Sequence, residues 1–485
     1  MNNLKNFTPI ALAILLSGCA VGPDYQEPTV SMAEAYINDQ TQAQLNEGHW
    51  WLGLNDPVLN TLVQDMQSQS LTLQMASQRV KMAKNYQTVV ESFKVPTVSV
   101  GAGYYNYQLS KNDSLLSPAL NPIGDSVSGL PPQIGGMTLL DNQHQGGFVG
   151  ASIAWEADIF GRLDRQANAA EIRKEQVEIY QDGLTTLLTA DLIHNYLQYR
   201  GAQKRHALML DNLEDQQRTE ELVQKMVVSG YGSELDLAQA QALTAATEAL
   251  LPQLEIAQQV HKQRIATLLN EPLSKVDIRL ANEAELPELE GTIPVGLPSE
   301  LLKRRADIRF AEREMAAVNE EWAASVANRY PKFFLTGAPG VSADSFDDLF
   351  SSDSFGWVGA AGIHWNVFDG GRGKAMVKMN EARFESAAMS YQHSVNSAVA
   401  EVDSLLFAYG RSQEHQKSIE KAYQSAETAL TKAKSLYKAG LIDYLSVLDA
   451  QRQKRMLLDQ EVAAKLQTSQ VTVGLYKSLG GDWKA

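Results

Sequence analysis

The sequence predicts a mixed, mainly α-helical chain in which one unit, built of long coiled-coil helices and two β-strands, occurs twice. Three observations carry this expectation. Trp155, Gly161 and Arg162 of the stretch WEADIFGR return 210 positions later as Trp365, Gly371 and Arg372 of WNVFDGGR. Gly230, Leu235 and Gln241 line up with Gly440, Leu445 and Gln451 at the same offset, so the unit was duplicated without a net insertion between these markers. Residues 162–229 and 372–439 hold no proline, and each could be a helix of roughly 100 Å at 1.5 Å per residue.

The N-terminus comes first in the chain and differs from the rest. Lys5 precedes an apolar stretch, Ile10 to Leu16, and then Ser17, Gly18 and Cys19. A positive start, a short apolar core and small residues at its end describe an export signal. Leu16-Ser17-Gly18-Cys19 is similar to the bacterial lipobox, in which cleavage precedes the cysteine and its thiol takes lipid. Cys19 is the only cysteine, so an internal disulfide is excluded. Ala20 stands where an aspartate typically retains such lipoproteins at the inner membrane, which favours the outer membrane.

From Asp56-Pro57 the spacing of Leu59, Leu62, Val63 and Met66 is helical, and Pro96 should end that helix near Lys94. Residues 97–109 alternate, and Val149, Ala151, Ile153 and Trp155 lie on one face of a second strand. The second copy repeats the pattern: a strand through Phe333, Leu335 and Gly337 follows Pro331. Trp357, Ala361, Ile363, Trp365 and Val367 then share a face of the last strand. Each strand has about the length of a tilted bilayer-spanning one. Val395, Val399, Val402, Leu406 and Tyr409 keep a 4-3 coiled-coil spacing, which Ile419, Tyr423, Ala426, Leu430, Ala433 and Tyr437 resume. Glycine turns at Gly230 and Gly440 lead into returning helices over 233–270 and 443–479. The Pro- and Glu-rich 271–298 reads as connector rather than core.

Composition narrows the function. A net charge of -15 is the wrong sign for binding nucleic acid. No run after the signal approaches the length of a membrane helix. Phe368 and Ala375 break the phosphate-loop reading of the segment around Gly370-Gly371-Arg372, and the histidines show no ligand spacing. No enzyme and no cofactor are expected, apart from covalent lipid on Cys19. Four strands cannot close a barrel, and open sheet edges do not occur in lipid, so strands in a membrane require several copies of the chain.

At this point the sequence resembles the TolC-like outer-membrane factors of tripartite efflux pumps, in their lipoprotein, NodT-type branch. The residues that carry the resemblance begin with Cys19 and Gly22-Pro23-Asp24-Tyr25, Trp50-Trp51 and Trp155 to Arg162. They continue with Leu297-Pro298-Ser299, Arg304-Arg305, Asp307-Ile308, Phe368 to Arg372, Tyr437, Gly440 and Tyr444 to Gln451. Ala306 departs from the family's proline at that helix start.

The resemblance implies a homotrimer with a 12-stranded transmembrane β-barrel and a trimeric α-barrel in the periplasm. Its parts would be a signal (1–18), a lipidated equatorial segment (19–56), a first repeat (57–270), an equatorial connector (271–298), a second repeat (299–479) and a tail (480–485). The implied function is a passive exit duct fed by a periplasmic adaptor protein and an inner-membrane efflux transporter. Alternatives are an exit duct for protein secretion and a non-porous lipid-anchored scaffold. By the same resemblance Asp449 matches a pore-narrowing carboxylate ring, and Asp236 and Tyr437 match positions that tie neighbouring helix pairs. The turns at Gly230 and Gly440 map to the adaptor-facing end. Ile442 stands where the family has an arginine and Ser446 where it has a second gate aspartate. Asp236 also fits a capping pair with Ser233.

Overall fold

A computed structural model describes residues 20–30, 32–38, 49–110, 112, 142–282, 284–287, 293 and 296–481. Cys19, the signal segment 1–18 and residues 482–485 lie outside the described residues. The chain forms two compact units. One comprises residues up to 25 with 84–171 and 316–384, and the other 26–83, 172–315 and 385–485.

In chain order the elements are α1 (Pro57–Gln69), α2 (Leu71–Glu91), β1 (Thr97–Gln108), β2 (Gln143–Ala157), α3 (Arg162–Val228) and α4 (Glu234–Glu248). They continue with α5 (Leu251–Leu269), α6 (Leu273–Arg279), α7 (Ala306–Ala327), β3 (Lys332–Ala343), β4 (Phe355–His364), α8 (Arg372–Lys438) and α9 (Tyr444–Ser478). Both proline-free runs are unbroken helices of 67 residues. Two expected helices are interrupted. The first breaks at Ser70, an extended residue (φ −57°, ψ 120°) between α1 and α2. The return from Gly230 breaks between α4 and α5, where Pro252 sits in the first turn of α5 and cannot join a helical ladder from α4.

In the first unit the strands form one antiparallel sheet in the order β1-β2-β3-β4. Its register sorts the side chains by face. Val98 pairs with Ile153, Val100 with Ala151 and Ala102 with Val149; on the same face Trp155 pairs with Leu335 and Leu335 with Ala361. That face is apolar and exposed, with Val100 79% and Trp357 76% accessible. The opposite face carries Thr97, Ser99, Gly101, Ser152, Gly150, Thr336, Gly340 and Gly356. It is small or polar along most of its height. Alternation with period two puts these sets on opposite sides of every strand.

The sheet meets its helices at two equivalent corners. Trp155 Nε1 donates to the carbonyl of Lys94 and Trp365 Nε1 to that of Arg329, each at 2.9 Å. Asp369 accepts from the amides of Gly371 and Gly373, which confirms a turn rather than a phosphate loop. Residues 20–24 dock at the β2–α3 corner. Ala20 lies against Gly161, Val21 donates to the Phe160 carbonyl, and Asp24 pairs with the buried Arg165 at 2.5 Å.

The second unit holds the larger core. Leu59, Leu62, Val63 and Met66 of α1 pack with Leu192, Ile193, Tyr196 and Leu197 of α3 and Ile265 and Leu269 of α5. The 271–298 segment, expected to be connector only, contributes Val276 and Leu280 to this core, both almost fully buried. The adjacent indoles are both covered: Trp51 is buried and Trp50 stacks on Tyr476 at 4.5 Å. Val395 and Val402 of the predicted seam are buried with Leu475 of α9. Ala306 opens α7, and Arg305 just before it pairs with Asp307 and Glu401.

Candidate functional site

The candidate site is the end of the second unit where α3 turns into α4 and α8 into α9. The two turns share one pair of backbone hydrogen bonds. Gly230 N–H reaches the Val227 carbonyl and Tyr231 N–H that of Met226; Gly440 and Leu441 repeat these bonds to Tyr437 and Leu436. This double bond with a left-handed residue is the Schellman cap, and φ of +77° at Gly230 and +69° at Gly440 explains the glycines. Next to the turns, the Ser233 hydroxyl accepts from Leu235 N–H and the Asp443 carboxylate from Ser446 N–H, starting the returning helices.

A small apolar core joins the four helix ends: Val223, Leu430, Tyr444, Val447 and Leu448 are buried, with Val227, Leu237, Tyr437 and Ile442 against them. Tyr437 and Tyr444 have ring centroids 5.4 Å apart, and the Tyr437 hydroxyl meets Met226 Sδ at 3.2 Å. Burial, followed by the neighbouring Tyr437 and Asp236, pushes the Tyr444 phenol far above its ordinary range. Asp236 lies in the first turn of α4, which Ser233 caps through Leu235 N–H. Ile442, in the arginine position, adds to the apolar core instead of donating hydrogen bonds. Ser446 bonds the Asp443 carboxylate through both amide and hydroxyl, so a serine here serves helix capping.

Asp449 is exposed on the first turns of α9, and its carboxylate pairs with Arg452 one turn on, at 2.5 Å. The sequence reading did not foresee this partner. An i, i+3 acid–base spacing was its only signal. Around the turns, Tyr231 (85% accessible), Leu441 (69%), Leu235 and Leu445 are exposed apolar side chains at equivalent places of the two repeats. No group of three or more potential metal ligands occurs among the described residues.

The family model of outer membrane efflux proteins matches residues 62–271 and 297–481. The chain belongs to that family. It is 25% identical to Nodulation protein T of Rhizobium leguminosarum bv. trifolii over 92% of this chain and 91% of that one. It is 28% identical to the solvent efflux pump outer membrane protein SrpC of Pseudomonas putida, over 98% of both. Among solved structures, the outer-membrane channel OprN superposes with a TM-score of 0.83 at 30% identity, covering 96% of this chain and all of that one. The fold is therefore that of an outer-membrane channel joining β-barrel and α-barrel parts, and the role is that of an exit duct in efflux. The family is one of channels and transport components.

Proposed function

We propose that this chain works as a lipid-anchored homotrimer, the passive outer-membrane duct of a tripartite efflux system. The two-faced sheet carries the proposal. Its apolar face bears aromatic residues at both ends, with Trp155 and Phe333 toward the helices and Tyr104, Phe355 and Trp357 at the far end. Such belts mark the two interfaces of a bilayer. Strands β1 and β4 each have one side unpaired among the described residues, and lipid offers those amides and carbonyls no partner. Three copies edge to edge give twelve strands and remove every edge. The small, polar face then lines the lumen. Exposed apolar side chains along α2, including Met75, Met82, Tyr86 and Val89, support cover by a neighbouring copy.

Lipid on Cys19 is supported by the docking of residues 20–24 at the strand-to-helix corner, beside the Trp155 end of the apolar band. An adaptor would dock on Tyr231, Leu235, Leu441 and Leu445 at the turns. Asp449 would place three carboxylates near the trimer axis, with Tyr437 and Asp236 holding the adjacent helix pairs. As a passive duct, the chain would rely on the inner-membrane partner for energy.

Extraction tests the reading. A Cys19→Ser protein should stay in the membrane through salt and carbonate washes, because the barrel holds it without lipid; release by carbonate would leave only an anchored scaffold. Tyr231→Asp with Leu441→Asp should abolish export while the amount of cross-linkable trimer stays unchanged.

A further inference from the structure

We propose that the far end of the sheet's small-residue face carries a stacking site for planar aromatic cations leaving the duct. The proposal rests on that face lining the lumen, as argued above.

Two reciprocal pairs build the site. Tyr105 of β1 stands opposite Gly146 of β2, and Phe148 of β2 opposite Gly103 of β1. A Cβ on Gly146 would come within 2.8 Å of the Tyr105 hydroxyl, and one on Gly103 within 2.7 Å of the Phe148 ring. Each ring therefore leans over the neighbouring glycine, in the space a side chain there would fill. Tyr107 and His144 complete the group, with ring centroids 6.0 to 6.2 Å from one another and from Tyr105.

Immediately toward the helices, the next rung across all four strands is glycine: Gly101 pairs with Gly150, Gly150 with Gly340 and Gly340 with Gly356. Side chains are missing from the whole rung, and the wall there is bare backbone. A hollow of about 480 Å³ lies over Phe148, Gly150 and Gly340. Aromatic rings beside a recessed wall suit a planar ring better than a bulky aliphatic body.

Charge selects the sign of the occupant. His144 Nε2 lies 3.2 Å from an Asp344 carboxylate oxygen. The β3–β4 connection over 344–353 carries Asp344, Asp347, Asp348 and Asp353 and no basic residue. Aromatic faces attract cations through their quadrupoles, and the acidic rim adds to that attraction.

The test is single-channel recording of the purified full chain with ethidium, and with tetraethylammonium as a cation without rings. Wild type should show discrete ethidium blocks and no comparable tetraethylammonium blocks. Phe148→Leu should shorten the ethidium dwell about tenfold, while Phe148→Tyr should keep it. Tyr107→Leu has no glycine pair beneath it and provides a second variant should Phe148→Leu fail to assemble; it should also shorten the dwell, with Tyr107→Phe retaining it. Unchanged ethidium dwell in a conducting Tyr107→Leu or Phe148→Leu channel overturns the site and leaves the duct intact. Inserted wild-type protein that passes no current overturns the duct reading and the site with it.

Discussion

Replacing Asp56 should destabilise the second unit by about 3 kcal/mol, and the structure allows that figure to be assembled from parts. One carboxylate oxygen, Oδ1, accepts from Val58 N–H at 2.9 Å and Leu59 N–H at 3.1 Å, capping α1 at its Pro57 start. Losing such a cap costs about 1 kcal/mol. The other oxygen, Oδ2, accepts from the Tyr196 hydroxyl at 2.5 Å, and Tyr196 is fully buried. Arg200, also buried, donates through Nε to the same hydroxyl and through Nη1 to the Asn282 carbonyl and Gln203. Burial, then the bond to Asp56, hold the Tyr196 phenol protonated well beyond its ordinary range. Asp56→Ala leaves that buried hydroxyl without its acceptor, which costs a further 1–3 kcal/mol, roughly. Asp56→Asn keeps the cap oxygen but turns its NH2 toward the Tyr196 hydroxyl, which still loses its acceptor, so it should be milder than Asp56→Ala by only the cap, about 1 kcal/mol. Denaturant unfolding followed through Trp50 and Trp51, which lie in the same region, measures all of these. Tyr196→Phe removes the group that Asp56→Ala strands, so the double variant should be milder than the two losses added, by at least about 1 kcal/mol. Strict additivity, or an Asp56→Ala protein within about 0.5 kcal/mol of wild type, would refute the reasoning.

Other consequences are simpler to state. Gly440→Ala meets no atom within 4 Å, so its cost is only that of a left-handed alanine, about 1 kcal/mol, and trimers should still form. Gly340→Ala sets a Cβ 2.9 Å from the Gly150 Cα and the Val149 carbonyl, so assembled trimer should fall sharply on native gels. His261 is held below its ordinary value of 6.5, first by burial and then by His194. Its folded form thus binds its proton less readily than the unfolded chain, and its stabilisation is present above about pH 6.5 and is lost as pH falls toward the folded value. His261→Gln should flatten that part of a stability–pH curve measured between pH 7.5 and 5.5.

Local pattern made much of this fold legible. Strand alternation, the proline-free runs and the two glycines in their turns each express a backbone rule that acts within a few residues. Ser70 escaped notice because neither proline nor glycine marks that break, and its buried side chain lies in tertiary surroundings. Pro252 was a visible stop that the duplicated pattern obscured, since the second copy runs through the equivalent region as one helix. The core role of Val276 and Leu280 was hidden by their proline-rich surroundings. Long-range partners were not legible at all: Asp56 and Tyr196 are separated by 140 residues, and only packing brings them together. The Tyr105–Gly146 and Phe148–Gly103 pairs likewise need the β1–β2 register, which two segments more than thirty residues apart in sequence do not fix. Asp449 was singled out from resemblance, but Arg452 beside it emerges from the helix geometry.

The most direct measurement is the conductance of purified wild-type and Asp449→Ala protein in a planar bilayer, with insertion established independently. A closing trimeric duct should give small, cation-preferring openings, and Asp449→Ala should enlarge them or remove the preference, because the exposed ion pair with Arg452 only partly screens the carboxylate. Inserted protein that never conducts, in either form, would contradict the duct.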